Sequence, residues 1–220
     1  MSILKNKYSF VIFDWDGTLM DSTGRIISAM QATARNLEIP VPDVESVRGI
    51  IGLSMTEVIP KLFPTLTSSR TDELLSEYRY QYVESDQTPS PLFDGVKEHL
   101  DWLKQQDVKI AIATGKARAG LDRVLHEVDL HSYFDFTICA DESESKPNPK
   151  MVFELLESAN KSATESLLIG DSVHDISMAN NANVDSVAVT SGASDFHQLD
   201  VLAPKAILEN VIAIEKWFAE

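Results

Sequence analysis

The stretch Phe13-Asp14-Trp15-Asp16-Gly17-Thr18-Leu19 decides how the rest of the chain is read. An apolar run, Tyr8-Ser9-Phe10-Val11-Ile12-Phe13, leads into it and predicts a buried strand. The run stops at two acids separated by one residue, and a glycine then turns the chain. Two like charges at close range each disfavour ionisation of the other. A fold tolerates such a pair when a cation sits between them, or when one acid stays protonated for chemistry. A plain Asp-Gly turn at a strand end carries the same letters with no function at all, so the remaining sequence has to separate the two cases.

Composition narrows the field first. The 220 residues suit one large domain, or one domain with a small insert. A hydrophobic content of 44% and a charged content of 24% are ordinary for a globular protein. The net charge of −15 argues against nucleic acid or an anionic membrane as a partner. One cysteine, Cys139, lies inside apolar Phe136-Thr137-Ile138-Cys139-Ala140 and is expected to be a buried apolar residue. It cannot form a disulfide within one chain, which points to a reducing compartment. Lys5 and Lys7 are followed by no long apolar core or cleavage site, and no apolar run reaches membrane-spanning length. The expectation is a soluble cytoplasmic protein.

After Gly17 the spacing turns helical. Ile26, Ile27, Met30, Ala34 and Leu37 predict a helix capped by Ser22. Shorter helices follow from Asp43 to Val47 and from Met55 to Phe63, and a longer one passes through Leu74, Leu75, Tyr78 and Tyr82. No strand signal appears between Leu19 and Pro89, so this block reads as an all-helical insert. Gln87-Thr88-Pro89-Ser90-Pro91 reads as a linker. Strands at Lys109–Ala113, Phe136–Cys139, Leu167–Ile169 and Val187–Val189 then alternate with helices, the last from Val211 to Phe218. The alternation predicts a doubly wound α/β fold with a parallel sheet. The expected division is an α/β core of residues 1–20 and 88–220 carrying a small helical cap of residues 21–87.

Ligands in such sheets bind beyond the carboxyl ends of the strands. The residues just past each strand are chemically of one kind. Asp14-Trp15-Asp16 comes after the first strand, Thr114-Gly115-Lys116 after the second, Lys146-Pro147 after the third, and Gly170-Asp171-Ser172 with Asp175 after the fourth. Acids, a hydroxyl with backbone amides, and lysines together suit a phosphate bound to a divalent cation. A nucleotide P-loop is excluded, because Ile110 and Ala117 stand where its glycine and its Ser or Thr would be.

In this order and across the whole chain, the four stretches resemble the haloacid dehalogenase-like hydrolase superfamily. Asp14 to Leu19 looks like its first motif, Thr114 its second, Lys146 its third, and Gly170-Asp171-Ser172 with Asp175 its fourth. The helical insert looks like the family's C1 cap, and the nearest subgroup is that of phosphoglycolate phosphatases and β-phosphoglucomutase-like proteins. Trp15 stands where that subgroup more often has a smaller apolar residue.

The resemblance implies roles. Asp14 would be the nucleophile and Asp16 the general acid and base. Mg2+ would be held by Asp14, the Asp16 carbonyl and Asp171, with Asp175 orienting that shell or binding directly. Thr114 and the amides near Gly115 would hold phosphoryl oxygens, and Lys146 would stabilise their charge. Arg48, within Val47-Arg48-Gly49-Ile50-Ile51-Gly52, matches a cap position that reaches substrate in related enzymes, and Lys116 and Ser172 are further substrate-binding candidates. The presence of Asp16 favours a phosphatase or phosphomutase over carbon–halogen cleavage. The expected activity is Mg2+-dependent hydrolysis of a small phosphate monoester by a monomer or weak homo-oligomer. A phosphomutase and a phospho-accepting regulatory domain are the alternatives.

Overall fold

The computed structural model describes residues 7–219. The amino-terminal stretch that includes Lys5 lies outside them from residue 6 downwards. Among the described residues, six strands form one parallel sheet in the order β3-β2-β1-β4-β5-β6. They are β1 (Phe10–Phe13), β2 (Lys109–Ala113), β3 (Phe136–Ile138), β4 (Ser166–Gly170), β5 (Asp185–Val189) and β6 (Ala206–Leu208). The central strand, β1, places Phe13 between Ile112 of β2 and Ile169 of β4. The chain moves outward from β1 to β3 and then crosses back to β4. That reversal opens a crevice beyond the carboxyl ends of β1 and β4, where Asp14 and Asp171 stand.

Both faces of the sheet are covered, which is why its strands read as continuous apolar runs. On one face Val11, Phe13, Ile112 and Ile169 pack against α5 (Val96–Gln105), α6 (Arg118–Glu127) and α10 (Ala213–Ala219). On the other, Phe10, Ile12, Ala111 and Leu168 pack against α7 (Lys150–Ala159) and α8 (Val173–Asn181). Each large apolar side chain fully buried in this way contributes about 1.5–3 kcal/mol. Trp15 is fully buried beside Phe134, and its indole N–H points at the Met20 sulfur. Cys139 is buried as expected, and burial pushes its thiol up to about 12.

Between β1 and α5 the chain forms no strand; its helical elements are α1 (Thr23–Asn36), α2 (Val44–Arg48), α3 (Met55–Leu62), a 3-10 turn (Ser68–Arg70), α4 (Thr71–Tyr80) and a π-helical turn (Gln81–Ser85). They bury a separate apolar cluster that includes Met30, Val47, Ile51, Val58 and Leu74. The chain leaves and re-enters the sheet layer along adjacent paths: the Asp21 N–H donates to the Pro91 carbonyl at 2.8 Å. No helix among the described residues is long and apolar enough to cross a membrane.

Three local expectations change. Ser22 occupies the amino-terminal cap position of α1, but its side chain makes no capping bond. Its hydroxyl donates instead to Asp16. The last helix begins at Ala213, two residues late, because the Asn210 side chain accepts the N–H groups of Ile212 and Ala213 and holds a turn there. Strand β6 and the short helix α9 (Phe196–Asp200) lie where the sequence suggested neither.

Candidate active site

The site grows from the strand ends. The Asp14 N–H still belongs to the sheet, donating to the Ile169 carbonyl at 2.9 Å, so its side chain is fixed just past β1. Its Oδ1 accepts a hydrogen bond from Lys146 Nζ at 2.6 Å. Its Oδ2 is buried and has no partner. Lys146 arrives from the connection between β3 and α7, is 1% exposed, and donates a second bond to Asp175 Oδ1 at 2.6 Å.

Asp175 is placed by helix capping. Ser172 and Asp175 form a reciprocal box at the start of α8. Asp175 Oδ2 accepts the Ser172 N–H at 3.1 Å and the Ser172 hydroxyl at 2.6 Å. Both oxygens of Asp175 are therefore occupied. Asp171 is gripped from two other elements: its Oδ1 accepts the Thr18 hydroxyl at 2.7 Å, and its Oδ2 accepts the Ala193 N–H at 2.7 Å. Two glycines make room for it. A Cβ on Gly17, whose φ is +85°, or on Gly192 would run into the Asp171 carboxylate.

Oxygens of Asp14, Asp171 and Asp175 lie within 4.8 Å of one another. Burial raises the Asp14 carboxyl well above its ordinary range, with Asp175 and Asp171 adding repulsion against the pull of Lys146. Burial and the Asp175 charge push Asp171 up to about 7. Burial works to lower the Lys146 ammonium, but Asp14 and Asp175 outweigh it and raise it. Counting Asp16 and Lys116, four buried or nearly buried carboxylates face two ammonium groups. The imbalance of two negative charges, and the bare Oδ2 of Asp14, fit a divalent cation, which prefers carboxylate oxygen.

The carboxylate of Asp16 stands outside that three-acid group and belongs to a second one. It accepts the Ser22 hydroxyl at 2.5 Å and pairs with Lys116 Nζ at 2.9 Å. Lys116 also donates to the Tyr82 hydroxyl at 3.3 Å, which ties this pair to the helical layer. Thr114 is fully buried past β2, and its Oγ1 accepts the Lys116 N–H at 3.2 Å. Gly115 lies directly under the helical layer, because a Cβ there would collide with the Gly52 carbonyl.

The helical layer is shut on the sheet layer at several points. His174 Nε2 is 3.0 Å from the Gly49 carbonyl, and the Ser54 N–H donates to the Ser145 hydroxyl at 2.9 Å. Arg48 reaches the Gly192 carbonyl at 3.4 Å and lies 3.7 Å from Glu45. The substrate-binding candidates thus fall in two places. Arg48 and Ser172 line a cavity of about 440 Å3, whereas Gly115 and Lys116 share one of about 370 Å3 with Asp16.

Three contributors escaped the sequence reading: Thr18, Ser22 and the Gly192-Ala193 turn. The last was within reach, since Ser191-Gly192-Ala193-Ser194 comes just after β5 and the strand-end rule leads straight to it. Ser22 was legible only as a helix cap, and nothing in the sequence marks Thr18 as a partner of a residue 153 positions away.

A parallel sheet with an inserted helical cap and a buried aspartate cluster at the strand ends defines a capped, doubly wound α/β protein with a carboxylate-based site. Residues 11–189 match the family model described as haloacid dehalogenase-like hydrolase, and the chain belongs to that family. It is an enzyme, a hydrolase. It is 32% identical over 203 residues to "Probable phosphatase IndB" of Dickeya dadantii, covering 90% of this chain and 88% of that protein. It is 29% identical to a phosphoglycolate phosphatase of Pseudomonas syringae pv. tomato, covering 91% of this chain and 76% of that protein. A crystal structure of a hydrolase from Pseudomonas syringae shares the fold with a TM-score of 0.87 at 23% identity, covering 97% of this chain and 98% of that one.

Proposed function

We propose that the protein is a Mg2+-dependent phosphatase that hydrolyses small phosphate monoesters through an aspartyl-phosphate on Asp14. The observation that carries this reading is the state of Asp14. One oxygen is held by a buried ammonium, the other is bare, and both sit at the carboxyl end of the central strand. A carboxylate so placed can approach a phosphate dianion only when nearby positive charge offsets the repulsion. Lys146 supplies one such charge. Asp14, Asp171 and the Asp16 carbonyl would hold Mg2+, whose charge, when bound, screens the phosphoryl oxygens. Asp175, with an oxygen within 4.8 Å of those of Asp14 and Asp171, would orient that shell or bind directly while it positions Lys146 and the start of α8.

The remaining roles follow from what each group touches. Thr114 and the amides beside Gly115 receive the phosphoryl oxygens. Asp16 protonates the leaving alcohol oxygen as the bond from phosphorus to it breaks. It then takes a proton from the water that attacks the aspartyl-phosphate, and Asp14 and inorganic phosphate are regenerated. Residues 21–87 act as a mobile cap that admits substrate and excludes water, with hinges near Asp21 and Pro89. The phosphoglycolate phosphatase relative makes phosphoglycolate the first ester to assay, with sugar phosphates as the second class.

The test is hydrolysis of p-nitrophenyl phosphate with and without Mg2+, for the wild type and for Asp14→Asn. Turnover should require Mg2+ and vanish in the variant, whose circular dichroism should match the wild type. A single turnover in 18O-water should leave the label in the phosphate and not in Asp14, because water attacks phosphorus in the second step. An Asp14→Asn enzyme with full activity would falsify the reading.

A further inference from the structure

Asp16 fixes where the leaving alcohol must lie. On the phosphatase reading, which this inference rests on, the alcohol oxygen has to reach the Asp16 carboxyl. Asp16 lines the cavity of about 370 Å3 between cap and sheet, so the body of the alcohol projects into that space.

The walls of that space are mostly apolar. Met30, Ile50, Leu53, Met55 and Leu75 supply aliphatic surface from four successive parts of the cap. Tyr78 and Tyr82 add two rings, their centroids 5.9 Å apart and tilted by 37°. The floor at the start of α6 is small, with Ala117 just before the helix and Gly120 within it. Polar groups gather at one end, where Asp16, Lys116 and the Tyr82 hydroxyl meet.

The charged groups near the cavity do not offer a second anion site. Lys116 is paired with Asp16, and Arg123 is paired with Glu127. Arg79 is exposed at the mouth, where water screens it. Arg48 lines the other cavity. A glycolate carboxylate or a sugar's row of hydroxyls would exchange water for hydrocarbon here, with few partners in return. An apolar chain or ring would gain by the same exchange.

We propose that the preferred substrates are phosphate monoesters of apolar or aromatic alcohols of roughly six to twelve non-hydrogen atoms, seated in this cap cavity with their oxygen at Asp16. The alkyl series from ethyl to octyl phosphate tests this, because leaving-group chemistry stays nearly constant while apolar length grows. With Mg2+ present, kcat/KM should rise roughly fourfold per methylene until the cavity is full, then level off. Hexyl phosphate should exceed glycerol phosphate and phosphoglycolate by about 100-fold or more. Met55 is half-buried at the start of α3, at the edge of the cap's apolar cluster, and circular dichroism checks that its variants keep the fold. Met55→Trp should bring the plateau to shorter chains, and Met55→Ala should move it to longer ones. A flat series, or phosphoglycolate or glycerol phosphate equal to hexyl phosphate, overturns the inference and leaves the phosphatase reading standing. Failure to hydrolyse any ester, p-nitrophenyl phosphate included, overturns both.

Discussion

Lys146 carries more of the site's electrostatics than any other residue. It is buried, and its ammonium is the shared partner of Asp14 and Asp175 at 2.6 Å each. Removing one member of a buried ion pair leaves uncompensated charge and costs about 3–5 kcal/mol. Lys146→Met is therefore expected to destabilise the metal-free enzyme by about that amount at pH 7.5, and by less at pH 5, because burial already favours the protonated form of Asp14. Urea unfolding at the two pH values measures this, and equal losses at both would contradict it. Activity should fall about 100- to 1,000-fold, in kcat more than in KM. Lys146 was legible in the sequence because it comes after a strand end. Its bridging position was not, since that depends on Asp175 being turned inward by the Ser172 capping box. Likewise Asp16 was legible as an acid two residues after Asp14, but its hold on Ser22 and Lys116 exists only once α1 and the loop after β2 are folded beside it.

At the level of elements, closure is decided where two backbones touch. The Gly52 carbonyl lies so close over Gly115 that a Cβ there could not fit, and the obstacle is backbone that no rotamer change can move. Gly115→Ala should leave the sheet domain stable to within about 1 kcal/mol while propping the cap open. Loss of closure should lower kcat/KM about 100-fold and raise the radius of gyration seen by small-angle scattering. An unchanged scattering curve together with unchanged kcat/KM would show that closure tolerates the methyl group. The cap itself was readable as helices because apolar spacing such as Ile26, Met30 and Ala34 is unambiguous over many turns. Strand β6 was not: Ala206-Ile207-Leu208 is three residues of edge strand, too short for a period to show. It is held by pairing with β5, a long-range contact that local sequence does not encode. Arg48 shows what local spacing leaves open: the loop that carries it approaches the sheet layer, and its side chain reaches the Gly192 carbonyl beside the turn that holds Asp171, a partner that only the folded chain supplies.

For the molecule as a whole, the cluster of acids sets how stability depends on pH and metal. Native Asp171 is pushed up to about 7, against an ordinary value of 3.8 in the unfolded chain. Asp14 is raised in the same direction. Between those limits the native state binds more protons than the unfolded state, so stability falls as pH rises. Asp171 alone accounts for a loss on the order of 4 kcal/mol across the window. Lys146 is raised, so its contribution is complete throughout this range and is lost only in strong alkali. Carboxylates away from the site, such as exposed Glu142 and half-buried Asp185, are held below their ordinary range by their partners. They act in the opposite sense, losing stability as pH falls, mainly below about pH 4.5. Metal-free enzyme should therefore lose thermal stability from pH 5 to pH 7.5. Asp171→Asn should remove the Asp171 share of that slope and be the more stable protein at pH 7.5, since an amide can accept the Ala193 N–H and donate to the Thr18 hydroxyl. Mg2+ bound among these acids would compete with the protons, so the increase in Tm produced by one fixed Mg2+ concentration should grow with pH in the wild type. Differential scanning calorimetry at pH 5, 6 and 7.5, with EDTA or Mg2+, reads all of these. A metal-induced shift in Tm that stayed constant across the three pH values, or that survived in Asp171→Asn, would place the cation somewhere other than among these acids.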